Sequence, residues 1–297
     1  MANGKRGAEF LDEAIERKPR LSSPQDHSDD IFDLWRNGMP SGDKTGWASL
    51  DRYYTVLPGQ LTIVTGWPGS GKSEFIDALL LNLSKNNWKI AVFSFENQPV
   101  TFHVTKMLEK IAGKPFGHGI NERISEYELS FLLEELNQSF AFTEATSGNF
   151  QLRDVLKSAQ EFLVKFPDAK RGVVIDPWNE LEHWRESGMS ETEYISKALS
   201  TIRNWARINK VHVWIIAHPA KARREEGKLP IPRPDMISGS QHFWNKADCA
   251  ITVWRDAERP EAAEVDIHIQ KIRFKHIGRP GMVTLRYDRV TGRYHET

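Results

Sequence analysis

Residues 59–80, GQLTIVTGWPGSGKSEFIDALL, place a glycine-rich turn between an apolar run and a helical pattern. The run LTIVT predicts a buried strand, and the segment after the turn predicts a helix. Gly66 is followed, after four residues, by Gly71, Lys72 and Ser73, which is the spacing of the phosphate-binding (Walker A) loop. Glycine-rich turns are common, but this motif also requires a strand before it and a helix after it. The stretch therefore predicts an α/β fold that binds a nucleotide.

Each part of this loop has a physical task. Glycines let successive backbone N–H groups turn inward around a phosphate. Lys72 is expected to reach the β- and γ-phosphates of ATP, Ser73 to ligate Mg²⁺, and the helix to direct its positive end at the anion. The predicted ATP-contacting residues of the loop are Gly66, Pro68, Gly69, Ser70, Gly71, Lys72 and Ser73.

Composition bounds the class of protein. A chain of 297 residues with 39% hydrophobic content can bury a large core. Its one cysteine, Cys249, excludes an intrachain disulfide and a cysteine-based zinc site, which favours a reducing compartment. No run approaches the roughly twenty apolar residues of a membrane span, and the N-terminus has no signal-peptide core. We therefore expect a protein of the cytoplasm, in a bacterial or phage-infected cell, with no membrane partner.

The net charge is +0, so the chain as a whole gives no electrostatic indication of a nucleic-acid partner. Two segments are nevertheless locally basic: HPAKARREEGKLPIPRP at 218–234 and QKIRFKHIGR at 270–279. Basic runs are usually solvated loops, so neither segment alone establishes a binding site. Any nucleic acid must be held locally.

Apolar strand-like runs alternate with helical patterns along the middle of the chain. GQLTIVTG, KIAVFSFE, RGVVIDPW and VHVWIIAHP are nearly continuous apolar runs, which predicts a mainly parallel sheet covered on both faces. The last third instead predicts strands joined by turns, with a hairpin around 279–281. The predicted fold is α/β with antiparallel C-terminal strands.

The N-terminal segment predicts an appendage. Residues 8–18, AEFLDEAIERK, form an amphipathic helical pattern, and the polar stretches KPRLSSPQDHSDD and RNGMPSGDKTGW follow. The apolar stripe could fold back on its own domain or dock on a neighbouring subunit. We divide the chain into a linker segment at 1–44 and a main domain at 45–297.

Three polar residues follow predicted strands. Asp176 ends GVVID and could hold the magnesium shell through water, and Glu96 ends KIAVFSFE and could act as general base beside the γ-phosphate. Either acid could instead be a helix cap or a surface charge. His218 closes VHVWIIAHP, where it could sense the γ-phosphate, although a lone histidine is more often structural. Ligands of open α/β sheets bind at such strand ends, which favours a shared site.

The combined order of GWPGSGKS, FSFE, VVIDPW, IIAHPAK, SGSQHFWNKAD and IQKIRFKHIGRPG resembles the RecA-like motor domain of the DnaB-type replicative hexameric helicases. The resemblance is greatest to the phage primase-helicases and Twinkle, and it covers about residues 45 to 293. It implies an ATP-hydrolysing DNA helicase. The phosphate loop is shared by many ATPases, so the set of motifs carries the resemblance.

The resemblance implies a site shared between subunits. In that family an arginine of one subunit completes the ATP site of the next, and Arg273, with Lys271 two residues before it, matches that pattern. It also implies a homo-hexamer or helical filament, with the amphipathic N-terminal segment in the place of a linker helix that docks on a neighbour. Arg273 could otherwise be an ordinary surface charge.

The resemblance also implies a channel for single-stranded DNA. Gly239 and Ser240 would allow close backbone approach, and Tyr287 occupies the position of an aromatic residue that stacks on the nucleotide base, although it could equally be a core aromatic. Basic residues after His218 would meet DNA phosphates. These are Lys221, Arg223, Arg224 and Lys228.

One departure from the family pattern qualifies this interpretation, and one alternative function stays open. The family usually carries a primase, primase-like or helical domain ahead of the linker, and the 44 residues before the main domain are too few for one. We therefore expect either an isolated motor domain, with primase or other replisome proteins as partners, or a stand-alone viral or mobile-element helicase. The alternative function is a non-unwinding RecA-like ATPase, an assembly switch or recombination mediator of the RadA or KaiC kind.

Overall fold

A single mixed sheet organises the protein in the computed structural model, which describes residues 21–144, 150–185, 187–220, 229–238, 241–256, 258–259 and 261–297. Nine strands of these ranges form the sheet, in the order β3-β2-β4-β5-β1-β6-β7-β8-β9. Strands β1 to β6 are parallel, and β7 to β9 are antiparallel. Their bounds are β1 Leu61–Thr65, β2 Trp88–Ser94, β3 Phe140–Phe142, β4 Lys170–Asp176, β5 Val211–Ile216, β6 Cys249–Trp254, β7 Glu264–Ile272, β8 Gly281–Tyr287 and β9 Tyr294–Glu296.

Helices cover both faces of this sheet. Along the parallel strands alternate residues enter different cores, so that Val64 packs with helices on one face and Ile63 packs with helices on the other. The helices are α1 Ser28–Asn37, α2 Ala48–Asp51, α3 Lys72–Ser84, α4 Val100–Ala112, α5 Glu126–Ser139, α6 Leu152–Leu163, α7 Glu191–Asn209 and α8 His242–Lys246. Helices α3, α4 and α5 lie against the first face, and α6, α7 and α8 lie against the second.

The predicted fold class is confirmed. The apolar runs form the central parallel strands, α3 begins inside the phosphate-loop motif, and the last third supplies the antiparallel strands. The predicted hairpin joins β7 to β8, although its connection is longer than a tight turn and covers 273–280. Arg273 was expected on the late strand, but β7 ends at Ile272, and Arg273 is the first residue after it.

One sequence interpretation near the N-terminus was wrong. The stretch KPRLSSPQDHSDD was taken as a polar break, but a 3₁₀ turn at Pro24–His27, capped by Ser23 and Asp26, leads directly into α1. Polar residues at a helix start satisfy its free N–H groups, so they signal a beginning as readily as a break. The amphipathic segment at 8–18 lies outside the described residues.

Candidate functional site

The phosphate loop follows β1 directly, and two of its glycines are required by geometry. A Cβ atom at Gly66 would lie 2.3 Å from the Val253 carbonyl oxygen and 2.5 Å from Ser70 Oγ, so no side chain fits there. Gly71 adopts φ 89° as the N-cap of α3, a left-handed conformation that glycine tolerates best. The loop therefore turns tightly around the first N–H groups of α3, which is the arrangement that binds phosphate.

Lys72 turns its side chain back over the loop. Its Nζ donates hydrogen bonds to the carbonyl oxygens of Gly66, at 3.0 Å, and Trp67, at 3.2 Å. The side chain is buried, and burial lowers the pKa of its ammonium, an effect that the nearby carboxylates of Asp176 and Glu96 oppose. The ammonium is therefore placed between the loop and two acids, where it can meet phosphate oxygens.

Asp176 ends β4 beside the start of α3. Its carboxyl group is buried and accepts a hydrogen bond from the Ser73 side chain. Burial raises its pKa to about 6, the Ser73 hydrogen bond opposes that rise, and the charges of Asp77 and Glu96 add to it. A buried acid beside a hydroxyl group and other carboxylates is a setting that a cation stabilises.

The residues present fit a magnesium-nucleotide complex. No group of three or more histidine, cysteine, aspartate or glutamate side chains suited to a metal occurs in the described ranges. Mg²⁺ usually takes few protein ligands and completes its shell with water and substrate phosphates. Ser73 and Asp176 match that mode. In addition, Ser70 Oγ is buried in the loop with no hydrogen-bond partner among the described residues, as expected of a group aimed at a phosphate.

Glu96 and His218 contact each other across the sheet edge. His218 Nε2 lies 3.2 Å from Glu96 Oε1, and the His218 backbone N–H donates to Asn179 Oδ1 at 3.0 Å. Glu96 remains about half exposed, so water reaches its carboxylate. A base and a polar sensor in direct contact can report to each other whether the γ-phosphate is present.

The strand register brings these groups to one edge. Asp176 pairs with Ser94 across β4 and β2, and the ends of β5 and β1 lie beside them, at Ile216 and Val64. All these strands are parallel, so their carboxyl ends lie together. The predicted set Lys72, Ser73, Asp176, Glu96 and His218 is therefore collected at the expected place.

Lys271 and Arg273 lie at the opposite edge of the same sheet. Ile272 pairs with Cys249, and Cys249 pairs with Thr62 near the start of β1, whereas the phosphate loop follows the end of β1. Lys271 Nζ donates to the Trp244 carbonyl oxygen and lies over the Trp244 ring. Both cations are thus remote from the loop of their own chain.

Tyr287 packs beside the phosphate-loop helix. Its hydroxyl group lies 3.5 Å from Glu74 Oε2, its ring centroid is 5.1 Å from that of Tyr294, and Arg255 lies over its face. Tyr294, which the sequence did not single out, donates its hydroxyl hydrogen to the Gly71 carbonyl oxygen at 3.3 Å. Tyr287 is half-buried between these groups, so it combines packing with a place near the loop.

The residues expected to contact DNA cannot be placed in the same way. Gly239, Ser240 and the basic residues after His218 lie outside the described residues; the basic set is Lys221, Arg223, Arg224 and Lys228. The chain on either side of 221–228 is described. His218 contacts Glu96 before it, and the Pro230 carbonyl oxygen accepts a hydrogen bond at 2.8 Å from Trp67 Nε1 of the phosphate loop after it.

Sequence reasoning missed a buried acid–histidine pair behind the site. Asp77, one turn along α3 from Ser73, lies 3.0 Å from His103 Nε2 of α4, and both side chains are buried. Burial lowers the pKa of His103, but the Asp77 carboxylate more than offsets this and raises it. The i, i+4 spacing from Ser73 was the available signal, since it puts Asp77 on the same face of the helix.

Comparison with known proteins gives a consistent family. The model of the DnaB-like helicase C terminal domain matches residues 42–296. The Twinkle homolog protein, chloroplastic/mitochondrial, of Arabidopsis thaliana is 38% identical over 309 residues, which cover 98% of this chain and 43% of that protein. The chain thus spans less than half the length of that relative.

Solved structures show the same fold at low identity. The ATPase domain of G40P superposes with a TM-score of 0.78 at 18% identity, over 94% of this chain and all of that chain. A DnaB-like replicative helicase, studied with its interactions with primase, gives 0.75 at 18% identity, over 99% of this chain and 72% of that chain. The RadB recombinase gives a lower TM-score of 0.53 at 17% identity, over 86% of this chain and 99% of that chain.

The expected cellular setting receives less support. Within the described ranges, no helix has the length and apolar character needed to cross a bilayer. The Arabidopsis relative is named as a protein of chloroplasts and mitochondria, so a bacterial or phage-infected cell finds no support in these comparisons.

Proposed function

Because the chain belongs to the family of DnaB-like helicase C-terminal domains, we propose that it is the ATP-driven motor of a replicative DNA helicase that moves along single-stranded DNA. The observation that carries this proposal is the gathering of Lys72, Ser73, Asp176, Glu96 and His218 at one edge of the parallel sheet. This set supplies a phosphate cradle, a metal-holding pair, a base and a sensor, which are the parts that ATP hydrolysis requires.

The chain's own residues divide the work of hydrolysis. Magnesium, when bound with ATP, would supply charge neutralisation at the phosphates. Ser73 would hold the ion directly, and Asp176 would hold it through water. Lys72 exchanges its loop carbonyl partners for phosphate oxygens, and Glu96 orients a water and accepts its proton. His218, bonded to Glu96, reports the presence of the γ-phosphate to the chain that follows it.

The active site is proposed to be shared between neighbouring subunits. Arg273 and Lys271 lie at the sheet edge opposite their own phosphate loop, so they are suited to a neighbour's triphosphate. A contact that joins opposite edges is head-to-tail, and it generates closed rings, here a hexamer, or open helical filaments. An arginine placed in this way stabilises the charge of the transition state in trans.

Helix α1 is proposed as the linker element that docks on a neighbouring subunit. Ile31, Phe32 and Trp35 expose most of their apolar side chains, and none of the residues of α1 is buried. An apolar helix face without a cover on its own domain is suited to a second copy of the chain. The proposed docking element is therefore 28–37, while the amphipathic segment at 8–18 stays a prediction.

DNA is proposed to contact the segment between His218 and Pro230 together with Gly239 and Ser240. The described ends of that segment touch the nucleotide site, through Glu96 at one end and Trp67 at the other. Basic side chains there meet phosphates without regard to base sequence. Primase is also a proposed partner, because the solved DnaB-like replicative helicase interacts with primase.

A strand-displacement assay tests the whole proposal. With a forked DNA duplex, we expect strand separation that requires both ATP and Mg²⁺, and none from the Lys72→Ala variant, which keeps the fold but loses the phosphate charge. Unwinding by Lys72→Ala would contradict the site. ATP hydrolysis that single-stranded DNA stimulates, but without any strand separation, would instead favour a non-unwinding ATPase of the mediator kind.

A further inference from the structure

Three arginine side chains converge on one buried carboxylate at the start of β6. Asp248 has a side chain that is only 1% exposed, and its Oδ1 lies 2.9 Å from Arg203 Nη2, 2.9 Å from Arg273 Nε and 3.4 Å from Arg207 Nη2. Arg203 and Arg207 belong to α7, whereas Arg273 follows β7. A carboxylate this deeply buried is stable only with such partners.

Asp248 is itself fixed to the central strand. Its backbone N–H donates to the Leu61 carbonyl oxygen at 2.9 Å, and its Oδ2 accepts the Leu61 backbone N–H at 3.2 Å. Leu61 begins β1, which is buried along its whole length. The carboxylate is thus held by a fully buried central strand, at the end remote from the phosphate loop.

Arg273 is held at several points on one side of its guanidinium group. Nε binds Asp248, Nη2 donates to the carbonyl oxygens of Asn245 and Ala247 at 3.2 Å each, and the backbone N–H donates to the Asp248 carbonyl oxygen at 2.8 Å. Nη1 makes no hydrogen bond to the part of the chain that the structure describes. The planar group is therefore oriented by its inner edge, and its outer nitrogen remains able to donate.

We propose that Asp248 is the positioning residue of Arg273, setting the direction in which this arginine meets the triphosphate of the neighbouring subunit. The inference rests on the proposed function, since it assigns a holder to the arginine that acts in trans. An arginine side chain has many rotatable bonds, so it stabilises a transition state effectively only if it is oriented in advance. Arg203, the most buried of the three arginines, gives Asp248 a second ion-pair partner besides Arg273.

A subunit-mixing experiment separates positioning from a merely structural role. Asp248→Asn keeps the shape of the side chain but removes the charge that orients Arg273. We expect the homogeneous variant to bind a fluorescent ATP analogue normally as an isolated subunit and to lose at least tenfold in kcat with little change in KM. Its own phosphate loop stays intact, so the defect lies in the site of the neighbour.

Mixing with Lys72→Ala subunits should therefore restore part of the activity. In rings assembled at random from equal amounts of the two variants, about a quarter of the interfaces pair an intact phosphate loop with a correctly held Arg273. Mixing Asp248→Asn with Arg273→Ala subunits should restore nothing, because both damage the same side of the interface. Lys197→Gln, which removes an exposed cation of the same helix α7 that makes no ion pair with Asp248, is the matched control and should keep near wild-type turnover.

The outcomes discriminate between the two proposals. If Arg273→Ala is rescued by Lys72→Ala but Asp248→Asn is not, Asp248 has a structural role and the inference is overturned, while the shared site stands. If neither is rescued, the shared site itself fails. Should Asp248→Asn not fold, the paired change Asp248→Asn with Arg203→Met removes the buried charge together with its most buried partner, and the same mixtures are measured.

Discussion

At the scale of single residues, the buried Lys72 ammonium lies near two carboxylates, those of Asp176 and Glu96. Asp176 and Glu96 both act on its ammonium, while Asp176 is itself buried enough to hold its proton up to about pH 6. Glu96 is the more exposed acid and contacts His218. The two carboxylates are therefore suited to the different tasks proposed for them, because the buried one suits a metal shell and the accessible one suits a water molecule.

Replacing Glu96 by glutamine tests that division. The amide keeps the shape and a hydrogen bond toward His218 but cannot accept a proton, so we expect nucleotide binding to persist and turnover to fall by roughly a hundredfold to ten-thousandfold. Equilibrium binding of a fluorescent ATP analogue and steady-state phosphate release measure the two effects. Glu180→Gln, an exposed acid close by, is the control and should leave both unchanged. Normal hydrolysis by Glu96→Gln would assign the base to another group.

The raised pKa of Asp176 predicts the effect of pH on magnesium. In the folded protein this pKa is about 6, above the ordinary value of 3.8, so the folded state binds the proton more tightly than the unfolded chain does. Lowering the pH through about 6 therefore adds to fold stability but neutralises the carboxylate proposed to hold the metal. Apparent Mg²⁺ affinity should fall roughly tenfold per pH unit below that point.

Magnesium titrations at a series of pH values, followed by ATP turnover, measure this dependence. Binding of the nucleotide without magnesium, over the same range, is the control for general acid damage. Asp176→Asn should bind Mg²⁺ weakly at every pH and lose the dependence. An affinity in the unmodified protein that stays constant from about pH 7.5 to about pH 5.5 would show that Asp176 does not hold the ion.

At the scale of elements, helix α1 stands out because its large apolar side chains are exposed on its own subunit. Trp35 of α1 is 81% exposed and Phe32 is 55% exposed, so their side chains stabilise the isolated fold very little. The parallel strands and α3, by contrast, are buried almost throughout. An element that contributes little to its own domain is the natural place for contacts between copies.

Substituting Phe32 and Trp35 by aspartate should separate assembly from folding. The isolated subunit should keep its unfolding midpoint, because surface changes usually alter stability by less than about 0.5 kcal/mol. The assembled form should weaken by at least tenfold, as sedimentation velocity at several protein concentrations would show. Asp30→Ala, on the same helix, is the control. Unchanged sedimentation of the double variant would remove α1 from the subunit contact.

The elements show what the sequence could predict and what it could not. The strand, turn and helix around Gly66 and Lys72 were predictable because local spacing determines that unit. Helices α5 and α6 were not recognised, although α6 repeats its apolar residues at helical spacing from Leu152 to Leu163. Asp248 could not have been found, because its arginine partners lie far away in sequence and no local pattern distinguishes one acid in NKADC.

At the scale of the whole molecule, the net charge is neutral, but acidic and basic side chains lie at opposite edges of the sheet. One edge carries the phosphate loop with its acids, and the other carries Lys271 and Arg273. The two edges are complementary in charge once a nucleotide is bound, so copies can associate head to tail without any excess charge on the chain as a whole. The described residues that flank 221–228, His218 and Pro230, contact groups at the first edge.

The dependence of DNA affinity on salt tests the proposed channel. Each phosphate contact to a single strand contributes about 0.7 to the slope of log affinity against log salt. Replacing Arg223, Arg224 and Lys228 together by alanine should therefore lower the slope by about 2, without regard to base sequence. Fluorescence anisotropy of labelled oligonucleotides measures it. Lys157→Ala on α6 is the control, and an unchanged slope in the triple variant would direct attention to Gly239 and Ser240.

The anchoring of Asp248 to Leu61 has a thermodynamic consequence. Leu61 at the start of β1 anchors Asp248, and the phosphate loop follows the end of the same strand, so the proposed action of Arg273 in trans would have each nucleotide bound by two polypeptides and would link its binding to their association. Linkage is reciprocal: if the neighbour tightens ATP binding tenfold, ATP strengthens that subunit contact tenfold, by about 1.4 kcal/mol. The apparent dissociation constant for ATP should therefore rise on dilution of the protein alone, and Arg273→Ala should make it independent of protein concentration.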